Sequence, residues 1–415
     1  MLGVRLRPPE QKPTGAWRQH IKHLRVTVIH HEFPYPPNHG GKVDVWTRLV
    51  GLRQLGVQIQ LVCWHEGGPP TAADLEVVGK IAPELIRLTP GSRWLALSEL
   101  RYPPRVRRFV PAERQYQELR AKIHEFNPGI LMLDGWPAYL TAARLSAELS
   151  IPFTYRSQNV EHEYWRTQSE LAKGLHRLRL RVTAKRMATL ERQIRRDANL
   201  VLEISAEDAE RMRAIGWEGN SVVLPPTWLG ESTESRMWDE RDIDVLFVGN
   251  LWTPDNVDGL LWFFDHVLGS LERRAPGVRV LVAGSRPSAR FRSTCRSHHV
   301  TCVANPPDVQ SLYARARVMI NPQLRGSGVS IKMLEFLARD AWVVSTPVGA
   351  RGLPDPKPSN LRLESDPGEF AGAIASALAC RQDSPAVGRH YLAMHFGTAQ
   401  LAQTVLRLLP RVADP

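Results

Sequence analysis

Residues 317–351 read R-V-M-I-N-P-Q-L-R-G-S-G-V-S-I-K-M-L-E-F-L-A-R-D-A-W-V-V-S-T-P-V-G-A-R. A β-branched run, Val318 to Ile320, stops at Asn321-Pro322. Gly326-Ser327-Gly328 then opens a segment in which Ile331, Leu334, Phe336 and Leu337 recur at helical spacing and can face a core. The pattern predicts strand, glycine loop, helix. Glycine has no Cβ to hold a ligand off, and the free amides at a helix start point outward, so such a loop suits a phosphate. Arg325 precedes the loop, Lys332 lies one turn into the helix, and Glu335 follows three residues later. Two cations and a carboxylate at one helix end suit a ligand with phosphates at one end and vicinal hydroxyls at the other, as a nucleotide sugar has.

The stretch resembles the donor-binding segment of GT-B glycosyltransferases of the retaining family 4, in the subgroup whose helix opens with P-L-R-x-G-S-G-x-x-x-K-x-L-E. That resemblance implies that Glu335 binds the ribose, that Gly326, Ser327 and Gly328 hold the diphosphate, and that Arg325 and Lys332 are the catalytic cations. Many members carry a further glutamate upstream that touches the donor sugar, and Ser327 stands there in this chain. The bland alternative is an ordinary Rossmann-type turn with a solvated Arg and Lys.

Working outward, 415 residues are natural for two domains, each able to bury its own core. A hydrophobic share of 43% and a charged share of 23% fit a soluble globular protein. No apolar run approaches the roughly 18 residues a membrane span needs, and the start lacks a signal-peptide core. The expectation is a cytoplasmic protein, peripheral on the inner membrane face if a basic surface binds lipid. Cys63, Cys295, Cys302 and Cys380 form no C-x-x-C pair and have no histidines at metal spacing, so neither disulfides nor a metal are expected. A net charge of +12 calls for an anionic partner.

Residues 1–23 read as a basic, poorly ordered tail and 24–229 as an acceptor-side Rossmann-like domain. Its first strand, Leu24 to Ile29, leads through a long loop to Gly40-Gly41 at a helix entrance, and the strand Gln58 to Trp64 follows. Loops longer than such units need are often functional. The double glycine resembles the family loop that faces the cleft near the donor phosphates or the acceptor; glycines needed only to turn the chain are the alternative. No G-x-G-x-x-G is present, which argues against a dinucleotide oxidoreductase.

Further strands at 86–88, 130–133 and 153–155 alternate with helices at 112–126 and 138–149, as a doubly wound parallel sheet requires. Asp134 ends one strand, and R-S-Q-N-V-E-H-E-Y-W-R follows the next. Ligands bind at such strand ends. The run resembles the R-x-H-N-V-E-x-x-x-W block of the same subgroup, with Gln158 at the histidine position. Asp134, Asn159, Glu161 and His162 are therefore placed on the acceptor side, or the last three only cap the following helix.

From Leu171 to Arg196 a basic helix sets Leu178, Val182, Met187, Leu190 and Ile194 at helical spacing among nine cations, with Glu191 alone opposing them. It could lie on an anionic membrane surface, extended by Arg101, Arg105, Arg107 and Arg108, or be a solvated face. Aromatic residues do not interleave with the cations, so no nucleic-acid partner is expected.

A polar segment, 230–241, reads as a linker to a nucleotide-sugar-binding domain, 242–390. There G-N-L-W-T-P-D-N-V-D resembles the subgroup's first loop, with Asp258 as a capping acid. Asn250 stands where many members have a phosphate-gripping arginine, so Gly249, Asn250 and Gly284 are expected only to line the donor pocket. Residues 391–415 are expected to return to the first domain. The fold expected is α/β, GT-B, two Rossmann-like doubly wound domains facing a central cleft. The activity implied is retaining, metal-independent hexosyl transfer from a nucleotide sugar, the co-substrate in place of any cofactor, to a glycan or lipid-linked glycan. Two rivals stay open: a catalytically impaired subunit that binds a sugar nucleotide or glycan, and a GT-B epimerase or phosphorylase.

Overall fold

The computed structural model describes residues 21, 23–65, 69–91, 101–217, 219–230, 236–339, 341–381 and 387–408. The expected tail, apart from Ile21 and His23, and the middle of the expected linker lie outside the described residues. Two sheets form, each parallel in every pairing.

The first sheet has the order β3-β2-β1-β4-β5-β6-β7. Its strands are β1 (Arg25–His30), β2 (Gln58–Trp64), β3 (Glu84–Leu88), β4 (Ile130–Asp134), β5 (Phe153–Ser157), β6 (Leu200–Glu203) and β7 (Ser221–Val223). Helices α1 (Gly40–Gln54), α2 (Ala72–Ile81), α3 (Glu113–Phe126), α4 (Tyr139–Leu149), α5 (Glu161–Leu171), α6 (Gly174–Asp197) and α7 (Ala206–Ala214) connect them. The second sheet has the order β10-β9-β8-β11-β12-β13. It is built from β8 (Ile243–Val248), β9 (Val280–Gly284), β10 (Thr301–Ala304), β11 (Ala316–Asn321), β12 (Trp342–Ser345) and β13 (Leu361–Leu363). The helices in this half of the chain include α8 (Pro254–Trp262), α9 (Leu268–Arg274), α10 (Ala289–Ser297), α11 (Ile331–Leu337), α12 (Pro367–Ala379), α13 (Val387–Phe396) and α14 (Thr398–Leu408).

The central strands are buried on both faces because helices cover both sides of the sheet, and the polar Thr27 of β1 is satisfied there by Gln60 of β2 at 2.8 Å. In β2 every residue from Ile59 to Trp64 is buried. Val26 of β1 stands opposite Ile59 on one side and Ile130 on the other. Strand order reverses between β1 and β4 and again between β8 and β11. A parallel sheet opens a crevice beyond the carboxyl ends at each reversal.

Tyr391, Leu392 and Phe396 of α13 sit in the second domain's core, whereas Leu401, Val405 and Leu408 of α14 join the first domain's core beside Val26 and Leu49. The chain therefore recrosses between Phe396 and Thr398. Among the described residues no helix is long and apolar enough to cross a membrane, and all four cysteines are free.

Several local expectations change. The basic stretch is two helices, α5 and α6, folded into a hairpin, and only Met187, Leu190 and Ile194 of the anticipated apolar face are in the core. Leu178 is 60% and Val182 42% exposed. Arg105 pairs with Glu32 at 3.3 Å, so it is tied to the first loop rather than extending a free patch. Helix α10, A-R-F-R-S-T-C-R-S, gave no clear signal because only Phe291 and Cys295, one turn apart, are buried.

Candidate functional site

Four loops at the carboxyl ends of the second sheet converge. They follow β8, β9, β11 and β12. Gly249 and Gly284 end neighbouring strands so closely that a Cβ on Gly284 would lie 1.7 Å from the Gly249 carbonyl oxygen. Glycine there is a packing requirement. Asn250 is engaged as well: its Oδ1 accepts from Ser285 Oγ at 2.8 Å, and its carbonyl accepts from Asn256 Nδ2 at 2.9 Å.

The glycine loop differs from its expected form. Helix α11 begins only at Ile331, with Ser330 before it, so residues 326–328 are not its first turn. Met333 takes the core position expected of Ile331, and Ile331 instead touches Gly40. Arg325 pairs with Asp258, which acts as its counter-ion rather than as a helix cap. Lys332 is different. Its Nζ donates to Asn256 Oδ1 at 2.5 Å and lies 4.4 Å over the Phe247 ring, with no carboxylate within ion-pair distance among the described residues.

A second cation, left unassigned by the sequence reading, is Arg351. It comes from the T-P-V-G-A-R-G-L turn after β12, with its guanidinium beneath Gly326. Nε donates to the Ser327 carbonyl at 2.9 Å, and Nη1 to Gln323 Oε1 at 2.9 Å and the Val348 carbonyl at 3.1 Å. It too has no carboxylate in ion-pair contact among the described residues. Gln323 Nε2 donates to the same Asn256 Oδ1 as Lys332, at 2.6 Å, so Lys332, Asn256, Gln323 and Arg351 form one chain of hydrogen bonds.

Burial pushes the Lys332 ammonium well below its usual range and Arg351 pushes it further, with Asp255 opposing. The Arg351 guanidinium is likewise lowered by burial, against Asp255 and Asp208. Two half-buried cations that repel each other across a neutral amide network, with Asp255 the one carboxylate acting on both, form a site with more positive than negative charge. An anion offsets that excess, which is how such pockets hold phosphates.

Glu335 faces the inter-domain gap and pairs with Arg339 at 3.6 Å. About 100 Å³ is open beside it, bounded by Asp44, Thr47 and Thr227 from the first domain. Gly328, at φ +67°, abuts that domain directly: a Cβ there would lie 2.9 Å from the Gln158 carbonyl oxygen. Gly328→Ala would cost about 1–2 kcal/mol in backbone strain and would also hold the two faces apart. Turnover per unit substrate should fall roughly tenfold or more, while the melting temperature falls by only about 2–6 °C. Steady-state kinetics beside a thermal melt checks this; unchanged kinetics would show that the contact is unimportant.

On the first domain the anticipated residues separate. Gly40 lies against Ile331 across the cleft, whereas Gly41 faces the His39 ring. The Asn159 Oδ1 is buried without a hydrogen-bond partner, near Gly328, an acceptor left unsatisfied at the cleft wall. Asp134 is fully buried. Its carboxylate takes Arg48 Nε at 3.2 Å and Gln158 Nε2 at 2.9 Å, and His30 donates from Nδ1 to its carbonyl at 2.9 Å. It braces the loop that carries Gln158 and is not open to an acceptor.

The start of α5 is capped by Glu191, the acid read as a lone charge on a basic helix. Its oxygens accept from the Glu161 and His162 amides at 2.9 and 3.0 Å and from His162 Nδ1 at 2.5 Å. The helix is therefore capped from α6 rather than by its own preceding residues. Burial, then the nearby Glu191 charge, raise the Glu161 carboxyl to about 8. A carboxyl whose folded pKa exceeds its unfolded value favours the fold at low pH, and that advantage is lost as pH rises toward the folded pKa. Glu161→Gln should accordingly gain melting temperature over the natural protein progressively between pH 5 and 8, then level off. A constant difference across that range would refute the assignment.

Among the described residues no group of three His, Cys, Asp or Glu side chains is placed to hold a metal.

Comparison with known proteins bears on the family and the fold. The family model described as "Glycosyl transferase 4-like domain" matches residues 39–228, and "Glycosyl transferases group 1" matches 242–380. An "Uncharacterized 44.6 kDa protein in cps region" of Klebsiella pneumoniae is 23% identical over 367 residues, 84% of this chain and 90% of that one. Among solved structures, sucrose-phosphate synthase from Thermosynechococcus elongatus superposes with a TM-score of 0.66 at 15% identity, covering 94% of this chain and 99% of that one. HepE of Anabaena in complex with UDP-glucose gives 0.63 at 12%, covering 94% and 100%. A TarM variant of S. aureus in complex with fondaparinux, alpha-GlcNAc-glycerol and UDP gives 0.67 at 9%, covering 93% and 99%. At these identities the structures show a shared fold.

Proposed function

The chain belongs to the group 1 glycosyltransferases of GT-B fold, and on that premise we propose that it moves a hexose from a nucleotide sugar to a hydroxyl of a glycan or lipid-linked glycan, with retention. The observation that carries this reading is a pair of half-buried cations, Arg351 beneath the glycine loop and Lys332 linked to it through Asn256 and Gln323, neither with an ion-pair partner among the described residues. As the bond from the anomeric carbon to the phosphate oxygen breaks, negative charge builds on the leaving diphosphate. Preorganised cations in a water-poor site stabilise that charge without reorganising. Glu335, at the open side of the same helix, is positioned to accept from ribose hydroxyls. Asn159, with its free acceptor oxygen, faces the site from the acceptor domain. The open volume beside Glu335 is smaller than the several hundred Å³ a ligand pocket offers, so donor entry requires the domains to part. The relative named for a cps region supports a place in polysaccharide synthesis.

A thermal-shift panel of nucleotide sugars tests the reading. The right donor at 100 times its dissociation constant should stabilise by about 2.7 kcal/mol, and glycosyl transfer or slow donor hydrolysis should follow. Stabilisation without turnover would favour the impaired-subunit reading, for which Ser327 in place of the sugar-contacting glutamate speaks. A free rearranged sugar nucleotide among the products would favour an epimerase. No response to any sugar nucleotide would end the proposal.

A further inference from the structure

Near the tip of the α5–α6 hairpin four large apolar side chains stand in solvent: Leu171 is 48% exposed, Leu175 87%, Leu178 60% and Val182 42%. Such a row is unusual on a soluble surface and marks a contact. At 3.6 residues per turn Leu175, Leu178 and Val182 fall within about 60° of one another, with Arg181 and Lys185 on one flank and Arg179 and Arg186 on the other. From residue 171 to 190 the sequence has six Lys or Arg residues and no acid.

Topology fixes where this tip points. Helix α6 feeds β6, which pairs parallel to β5, so α6 runs against the strands. Helix α5 folds back on it through Ala172 and Lys173 and runs with them. Starting at Glu161, just past the end of β5, the hairpin extends about 16 Å beyond the carboxyl edge of the sheet. That edge carries the cleft.

We propose that this tip docks on a bilayer of anionic lipid, the leucines and Val182 entering the headgroup boundary and the flanking cations meeting lipid phosphates. An apolar row between two rows of long cations is what an interfacial helix needs: the row gains by leaving water, and the Lys and Arg stems reach back to the charged surface. Charge decides against a second copy of the chain as the occupant, because an isologous contact would set six cations against the same six. A nucleic acid would meet the cations and leave the leucines in water. Docking in this pose turns the acceptor side of the cleft toward the membrane. The inference stands apart from the donor reading, since vesicle binding is measured without any sugar nucleotide.

The test is co-sedimentation of the full chain with vesicles of phosphatidylglycerol and phosphatidylcholine, against phosphatidylcholine alone, at two salt concentrations. Binding to the anionic vesicles should be at least tenfold stronger and should weaken with salt. The triple variant Leu175→Ser, Leu178→Ser, Val182→Ser should lose at least tenfold of it with an unchanged melting temperature, because all three side chains are exposed. Equal binding to both vesicle types would overturn the proposal, as would full binding by the serine variant. A dimer in solution that the serine substitutions make monomeric, or retention of RNA that they abolish, would give the surface to another occupant.

Discussion

Lys332→Met is expected to lower kcat/KM by 10²- to 10³-fold, roughly 3–4 kcal/mol of transition-state stabilisation. Methionine keeps the volume of the half-buried stem, and Asn256 Oδ1 keeps its bond from Gln323, so the loss isolates the charge. Arg351→Met should cost a comparable factor, with some loss of loop order because the guanidinium also ties Gln323, Ser327 and Val348 together. Arg325→Met should cost less, since Asp258 already neutralises that cation. Two further readouts separate a leaving-group role from a structural one. Calorimetry with a nucleoside diphosphate should show weakened binding in both strong variants.

The pH dependence adds a sign. Burial and Arg351 depress the Lys332 ammonium in the free protein, and a bound dianion raises it again. Binding therefore takes up a proton, and affinity for the diphosphate should strengthen as pH falls through the depressed value. In Lys332→Met that dependence should vanish. A Lys332→Met enzyme within threefold of the natural one would remove lysine from the mechanism.

Arg48→Met is expected to be the most damaging substitution to stability, at about 3–5 kcal/mol. Arg48, Asp44, Asp134 and Arg156 are all buried to within 2% of full exclusion. Arg48 bridges the two acids, donating Nη1 to Asp44 at 3.0 Å and Nε to Asp134 at 3.2 Å, while Arg156 reaches Asp44 at 3.3 Å. Burial opposes every charge in the cluster, and the Asp134 carboxyl still lies below its usual range because Arg48, His30 and Arg156 outweigh that cost. Without Arg48, Asp134 would remain as a buried carboxylate hydrogen-bonded by the Gln158 amide, with Arg156 as its nearest remaining cation but not its ion-pair partner. For a domain of this size the melting temperature should fall by about 10 °C. The double variant Arg48→Met, Asp134→Asn should recover much of the loss, because the stranded charge is gone. A single-variant loss under 1 kcal/mol in urea unfolding would show that water reaches the cluster.

These two predictions divide along what a sequence can carry. The strand of residues 318–320, the loop glycines and the Lys332–Glu335 spacing were legible because they are local: β-branched runs, missing Cβ atoms and one helical turn leave marks within about ten residues. The alternation of strands and helices was legible for the same reason, and with it two parallel sheets. Arg351 was visible at such an edge, in T-P-V-G-A-R-G-L, but nothing adjacent says that it folds under a loop more than twenty residues upstream. Glu191 looked like a minor charge on a basic helix and is the buried cap of another. Asp134 looked like a cleft residue and is locked among arginines from α1 and β5. Which of two cations keeps its charge unpaired depends on where the nearest carboxylate lands, and Asp258 sits 67 residues before Arg325.

By itself, then, the sequence determined the α/β architecture, the two-domain division and the place of the glycine loop, since each follows from periodicity, composition and short spacing. Only the tertiary structure decided which charges are neutralised, which are buried, and which leucines of the basic hairpin are left in water. Ion pairing and burial depend on distances of a few ångströms between residues far apart in the chain, and only the packed fold sets those distances.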